Sequence, residues 1–360
     1  MEYHIFPEQQ LRSFTENIFK AMGCSDEHAQ LAADVLIKAD LRGIDSHGVA
    51  RLTGYVRLWE KKRINTKPHI KVVHETNSTA TVDGDAGLGL IVAPWAMQVA
   101  IRKAEECGSG WVAVRNSNHF GIAAYHTLMA VEQDMIGFAV TNASPLVAPT
   151  FSTERMLGTN PICYAFPAEN YPPMVVDMAT STAANGKLEI AQRKNTEVPS
   201  GWIQDKEGNT TIDPHGLKAG GSLLPLGSDR EHGSHKGFGL SATVDILSAV
   251  LSGASYGPWA PPFVAFMDPL PNQPGQGLGH FLGAMRVDGF RPKADFKAHM
   301  DNWIKRFKEA KPINENQKVI IPGEPELAAE KDRKINGIPL IEAVVKDMNE
   351  VAAKFGLPIL

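Results

Sequence analysis

Two short segments concentrate the residues able to move a proton and hold an acid. Asp45-Ser46-His47-Gly48-Val49-Ala50-Arg51 and Asn116-Ser117-Asn118-His119-Phe120-Gly121 each set an imidazole among small and polar neighbours, and the first adds a guanidinium four positions on. Imidazole takes or gives a proton near neutral pH, and the guanidinium fork holds a carboxylate through two hydrogen bonds. A histidine with an arginine equips an enzyme for hydroxy or oxo acids, although one such pair standing alone would equally be an ordinary surface contact.

Other signatures are missing or incomplete. The glycines of Gly84-Asp85-Ala86-Gly87-Leu88-Gly89 lack the Gly-x-Gly-x-x-Gly spacing, and no acidic residue is placed to hold a ribose, which disfavours a standard Rossmann domain. Asn185-Gly186-Lys187-Leu188 has the Gly-Lys of a phosphate loop but neither its leading glycine nor its hydroxyl. Ser46 beside His47 does not suggest a hydrolase, because neighbours in sequence are not expected to face each other as a triad does, and no Gly-x-Ser-x-Gly elbow exists. No His-Glu-x-x-His occurs and only His232 and His235 are closely spaced, so no metal is expected. Pro322-Gly323-Glu324 reads as a turn whose carboxylate can meet ribose hydroxyls. Ser234-His235-Lys236-Gly237-Phe238-Gly239 precedes a helix, where backbone N–H groups and a lysine can meet a phosphate.

These segments need elements to hold them. Leu11, Phe14, Ile18 and Met22 keep helical spacing, and Ser25 is a candidate N-cap for a second helix carrying Leu31, Val35, Leu36 and Ala39. That helix runs out near Gly43, so the first histidine segment lies just past a helix end. Strands are expected at 70–75, 79–83, 111–114, 136–141, 162–166 and 174–177, with helices at 94–106 and 123–133. The second histidine segment follows the strand at 111–114. Residues 195–221 read as loop, 238–251 as helix, 256–279 as irregular and 296–309 as helix behind Pro292. Residues 318–321 look strand-like, and 328–355 look helical, broken at Asn336-Gly337-Ile338-Pro339.

The 360 residues allow about two domains, and 43% hydrophobic with 21% charged residues suits a globular protein with a sizeable core. A net charge of −4 leaves no electrostatic footprint for nucleic acid. The N-terminus carries no signal-peptide pattern and no stretch is apolar enough to span a membrane, which leads to a cytoplasmic expectation. Cys24, Cys107 and Cys163 are odd in number and widely spaced, and they read as buried thiols.

Taken in order, six segments resemble the malate/L-lactate dehydrogenase family, which also includes sulfolactate and ureidoglycolate dehydrogenases, diketogulonate reductase and a cyclic-imine carboxylate reductase. They are Ser46-His47-Gly48-Val49 with Arg51, Asn116 to Gly121, Leu157-Gly158-Thr159-Asn160-Pro161, Val176-Asp177-Met178-Ala179-Thr180-Ser181, His235 to Leu240, and Pro322-Gly323-Glu324, and together they cover nearly the whole chain. The resemblance implies an α/β (α+β) fold with a non-Rossmann cofactor domain on a large mixed or antiparallel sheet, over 71–291. It also implies a helical domain built from both chain ends, 1–70 and 292–360, and a homodimer.

For the site, the resemblance implies His47 and His119 as alternative proton carriers with Ser46 orienting. Arg51 would grip the substrate carboxylate and Thr159 would touch the substrate. Cofactor contacts would come from Phe120, Gly121, Ile122, Ala123, Ser144, Val176, Asp177, Met178, Ala179, His235, Lys236, Pro322, Gly323 and Glu324. The expected activity is hydride transfer between NAD, with NADP as the alternative, and a small malate- or lactate-like 2-hydroxy acid. The rival readings are an NAD(P)H-dependent reductase of a cyclic imine carboxylate or a sugar-derived oxo acid, and a protein that binds an organic acid without turnover. The role of residues 195–231 is left unassigned.

Overall fold

A computed structural model describes residues 3–360, so the part of the N-terminal expectation that rests on Met1 and Glu2 lies outside the described residues. The chain starts with β1 (Tyr3–Phe6) and α1 (Glu8–Ala21), whose Leu11, Phe14 and Ile18 bury one face. Ser25 caps α2 (Asp26–Leu41), its hydroxyl accepting the His28 N–H at 3.2 Å. A single tight helical turn, Val49–Arg51, then leads into α3 (Leu52–Glu60).

The strand-rich middle follows as β2 (Lys71–Glu75), β3 (Thr79–Asp83), α4 (Gly89–Cys107), β4 (Ser109–Ser117), α5 (Ala123–Val131), β5 (Met135–Thr141), β6 (Ile162–Phe166) and β7 (Met174–Met178). Helix α4 begins at Gly89, more than a turn before the expected start at residue 94, and carries Pro94 inside it at the cost of one backbone hydrogen bond. Glycine is required at that first position, because a Cβ there would overlap the carbonyls of Asn118 and His119.

Next come α6 (Asn185–Lys194), which the sequence reading did not mark, and three two-residue strands, β8 (Ile203–Gln204), β9 (Thr210–Thr211) and β10 (Ser222–Leu223). The latter lie where loop is expected, since two residues are too few to leave an alternation. Helix α7 (Ser234–Asp245) continues into a wider turn over Ile246–Val250. After the irregular stretch comes β11 (Leu278–Arg286), a strand not anticipated, and then α8 (Lys293–Lys308), α9 (Glu324–Asn336), β12 (Ile338–Ile341) and α10 (Glu342–Lys354). Residues 318–321 pair with no strand, contrary to expectation; the segment instead delivers the Pro322 carbonyl to the Val175 N–H at 3.0 Å.

The strands form a mixed seven-stranded sheet in the order β2-β3-β4-β11-β5-β6-β7, with β3–β4 its parallel pair. Helices α4 and α5 cover one face through a core containing Ala96, Met97, Val112, Ala139 and Leu282. The other face receives Val244 of α7 against Phe138 and Val140. Glycines hid β11 from a propensity reading, yet packing requires them. A Cβ on Gly279 would overlap the Ser248 carbonyl, and one on Gly283 would strike the Trp111 ring.

At the helical end, β1 and β12 pair antiparallel, and α1, α2, α3 and α10 share a core through Phe19, Leu36, Tyr55, Met348 and Val351. The expected boundary at 292 groups α8 with this end, and α8 has polar contacts on both sides: Lys308 meets Glu324 of α9, while Lys297 meets Asp134 and Glu169, each at 3.1 Å, and Asp301 accepts the Glu169 and Asn170 N–H groups. Cys24 and Cys163 are buried thiols, whereas Cys107, at the last position of α4, is exposed, which corrects the expectation for that residue. Among the described residues no helix is long and apolar enough to cross a membrane.

Candidate active site

The first histidine is set by a carboxylate nine positions before Val49. Asp40 on α2 is fully buried, and its Oδ2 accepts the Val49 N–H at 2.8 Å, which pins the turn carrying His47 and Gly48. Gly48 is required there, because a Cβ would overlap the Asp40 carboxylate. Arg333 of α9 secures the same corner through the Asp40 carbonyl and the Asp45 carboxylate. Within the turn, Ser46 Oγ lies 2.9 Å from His47 Nδ1, so these neighbours do face each other, against the sequence expectation. The bond uses Nδ1, leaving Nε2 as the nitrogen free to work on a ligand.

The second histidine is set by the end of β4. Asn118 donates to the Ala86 and Gly87 carbonyls, each at 2.9 Å, and fixes the loop that follows. His119 Nδ1 then lies 2.7 Å from Tyr55 Oη, and the Phe263 ring packs 4.7 Å from the imidazole. The two imidazoles stack with centroids 5.7 Å apart and planes inclined by 22°. Tyr55 and Phe263 were not among the expected residues. Tyr55 follows Arg51 by four positions, a spacing that puts two side chains on one helical face and could have exposed it. Phe263 sits in an irregular segment and left no such signal.

Burial and charge set the protonation of this pair. Burial, then the Arg51 cation, push His47 down to about 3. Burial also holds His119 well below the ordinary histidine value, and the neighbouring His47, Arg51 and His280 add to the effect. Both rings are therefore neutral at pH 7 and each can accept a proton. Asp177 at the end of β7 moves the other way, to about 6, because its burial outweighs the Ala124 N–H bond at 2.8 Å and the Arg42 cation.

A cleft of about 490 Å³ opens beside His47. Of the expected residues, Ser46, His47, Gly121, Ile122, Ala123, Thr159, Asp177, Met178 and Ala179 line it. Val176, Pro322 and Gly323 line an adjoining groove of about 270 Å³, and Ile44, Asp177, Met178 and Glu326 belong to both walls. The two spaces thus form one elongated depression.

The remaining expected residues lie elsewhere. Arg51 does not line this cleft; it borders two other cavities, of about 210 and 140 Å³, with its Nε on the Ser46 carbonyl and its Nη2 3.3 Å from Glu189. The Phe120 side chain is buried between the His126 and His280 rings, centroids 4.7 and 4.8 Å away. Ser144 Oγ accepts the Phe263 N–H at 2.8 Å and so supports the aromatic wall of His119. Glu324 is engaged by Lys308 and by the Ile321 N–H, while Glu326, which the sequence reading passed over, faces the cleft. His235 and Lys236 are exposed on the first turn of α7, where Gly237 packs against Leu226 on the cleft wall.

The depression suits a nicotinamide dinucleotide. It is long, and Asp177 has one backbone partner, so its second oxygen can receive a hydroxyl or amide donor. Asp177, Met178, Ala179 and the Pro322–Gly323 turn would hold the cofactor along this course.

The chain resembles known proteins over nearly its whole length. Residues 6–349 match the family described as Malate/L-lactate dehydrogenase. The chain is 43% identical over 356 residues to a malate dehydrogenase of Pyrococcus abyssi, covering 99% of this chain and 96% of that protein. It is 38% identical over 344 residues to an L-sulfolactate dehydrogenase of Methanocaldococcus jannaschii, covering 95% of each. The solved structure of malate dehydrogenase from Pyrococcus horikoshii superimposes with a TM-score of 0.90 at 38% identity, covering 99% of this chain and 97% of that one.

Proposed function

The chain belongs to the malate/L-lactate dehydrogenase family and is a 2-hydroxy-acid dehydrogenase using a nicotinamide cofactor, and from that premise we propose that it interconverts malate and oxaloacetate with NAD. One observation carries the reading of the site: two neutral imidazoles, each anchored through Nδ1, meet at the end of the cleft where His47 opens onto it.

The cofactor, when bound, supplies a ring that accepts or gives hydride. The residues of the chain do the rest. His47 Nε2 takes the hydroxyl proton as the carbinol is oxidised and returns it to the nascent alkoxide in the reverse direction. Ser46 holds the His47 ring by its other nitrogen. Arg51 holds the substrate carboxylate through the guanidinium edge that Ser46 and Glu189 leave free. Burial is the larger cause of the depression of His47, so an anionic substrate beside Arg51 relieves only the smaller part of it. Thr159 borders the substrate, and Phe263 with Tyr55 closes the dry side of His119.

A second reading gives the proton to His119, since Tyr55 anchors it in the same way. Two variants decide between them. In steady-state reduction of oxaloacetate, the proton carrier loses about 10² to 10⁴ in kcat on substitution by Gln, while its neighbour loses about tenfold. Full activity in both His47→Gln and His119→Gln would refute the site.

We extend the proposal to a cytoplasmic homodimer. Its support is the absence of disulfides among the described residues and the apolar face that Leu240, Ile246, Val250 and Leu251 expose along α7 and the turn after it. Sedimentation of a monomer at micromolar concentration would overturn the dimer.

A further inference from the structure

The Gly186-Lys187 pair, which fits no phosphate loop, lies at the active site. Gly186 on α6 packs so tightly that a Cβ would come 2.7 Å from Ser46 Cβ and 3.2 Å from Arg51 Nη2. The next residue, Lys187, lines the same cleft as Ser46, His47 and Thr159. Lys187 is exposed and borders this cleft together with His47.

The charges around the cleft differ in their engagements. Arg51 borders other cavities and already meets Glu189 at 3.3 Å. Farther along α6, Arg193 meets Asp347 at 3.6 Å. Lys187 has no carboxylate within ion-pair distance among the described residues; its ammonium rests 5.4 Å from the centre of the Trp202 ring, an arrangement that holds a cation without neutralising it. The carboxylates on the cleft wall, Asp177 and Glu326, belong also to the groove on the Pro322 side. The wall beside His47 and Thr159 therefore carries an unneutralised cation.

We propose that Lys187 binds the distal acid group of the substrate and so selects dianionic 2-oxo acids over monoanionic ones. Lys187 then holds the distal acid while the reacting carbon stands before His47. The assignment rests on the reading of this cleft as the site of 2-oxo-acid reduction. A compact, mobile ammonium suits the task, because it recognises charge without imposing the planar geometry of a guanidinium. The same cation could instead meet a phosphate of the cofactor, and the two uses separate kinetically.

The test is steady-state kinetics of Lys187→Met and Lys187→Arg with oxaloacetate, pyruvate and varied NADH. In Lys187→Met the KM for oxaloacetate should rise roughly tenfold to a hundredfold, as for a lost charge-assisted contact, while pyruvate kcat/KM and the NADH KM stay within about twofold. Lys187→Arg should restore most of the preference for oxaloacetate. A rise of about tenfold in the NADH KM, with equal losses on both oxo acids, would reassign the lysine to the cofactor and overturn the proposal. An unchanged oxaloacetate KM would overturn it as well. Failure of the unsubstituted enzyme to reduce either acid would instead refute the reading of the site, a result distinct from any behaviour of the variants.

Discussion

Gly48→Ala tests whether the turn carrying His47 is held as tightly as the structure requires. The backbone conformation at Gly48, φ −87° and ψ −146°, does not itself demand glycine, so the substitution probes space rather than backbone strain. An added Cβ falls about 1 Å inside the 3.0 Å that such contacts keep from the Asp40 carboxylate. Asp40 is fully buried and cannot swing into solvent, so the turn must yield or the carboxylate must release Val49. Burial holds the Asp40 carboxyl well above the usual carboxylate range, so the cost of release is that of leaving the buried Val49 N–H unpaired, about 1–3 kcal/mol. A turn displaced by about 1 Å misplaces His47 and lowers kcat on the order of a hundredfold. The assay is a double-mutant cycle with Asp40→Ala, read by kcat and by the free energy of unfolding in urea. With the carboxylate gone, Gly48→Ala should cost at least about 1 kcal/mol less than in the parent. Full additivity, or a Gly48→Ala enzyme with parental kcat and stability, would show that Asp40 does not set the position of His47.

Two further predictions follow from buried imidazoles. Tyr55→Phe removes the hydroxyl that meets His119 Nδ1 at 2.7 Å while keeping the ring against Phe263, so kcat should drop about tenfold with stability changed by no more than about 1 kcal/mol; an unchanged pH–rate profile and kcat would dismiss the contact. His126 and His280 are fully buried and held near 4 and 3, below the 6.5 they regain on unfolding. Their contribution is complete above pH 6.5 and is lost as pH falls toward those lower values, because the unfolded chain binds the protons first. Each adds about 1.4 kcal/mol per pH unit to the decline, so His280→Gln should make the loss of unfolding free energy between pH 6 and 5, about one unit, shallower by that amount; an identical slope in the variant would refute the assignment.

The histidine motifs, the cap at Ser25 and most strands were legible because their signals are local: a spacing, a hydroxyl before a helix, an alternation. What escaped depends on distant partners. β11 is written with glycines at 279 and 283 because the Ser248 carbonyl and the Trp111 ring occupy the space of their side chains, and nothing near those glycines announces it. Phe263 stands before His119 because Ser144 holds its backbone from 119 positions away. Glu324 and Glu326 are separated by one residue, and which of them faces the cleft is decided by Lys308, which takes the former. Likewise Arg51 reads as a free cation in sequence, and only the packing of α6 brings Glu189 to it.

The position of β11 also bears on how the chain is made. This strand sits between β4 and β5, pairing with both, yet it is synthesised long after them. Until residue 286 has left the ribosome and the intervening stretch has looped back, β4 and β5 present facing edges with nothing to join them. At typical translation rates that interval lasts on the order of ten seconds. During it the nascent sheet exists as two separable halves, β2 to β4 and β5 to β7, whose open edges invite pairing with other chains. Assembly must therefore wait for a closing insertion of high contact order, and chaperone shelter or slow folding is expected to centre on that one seam.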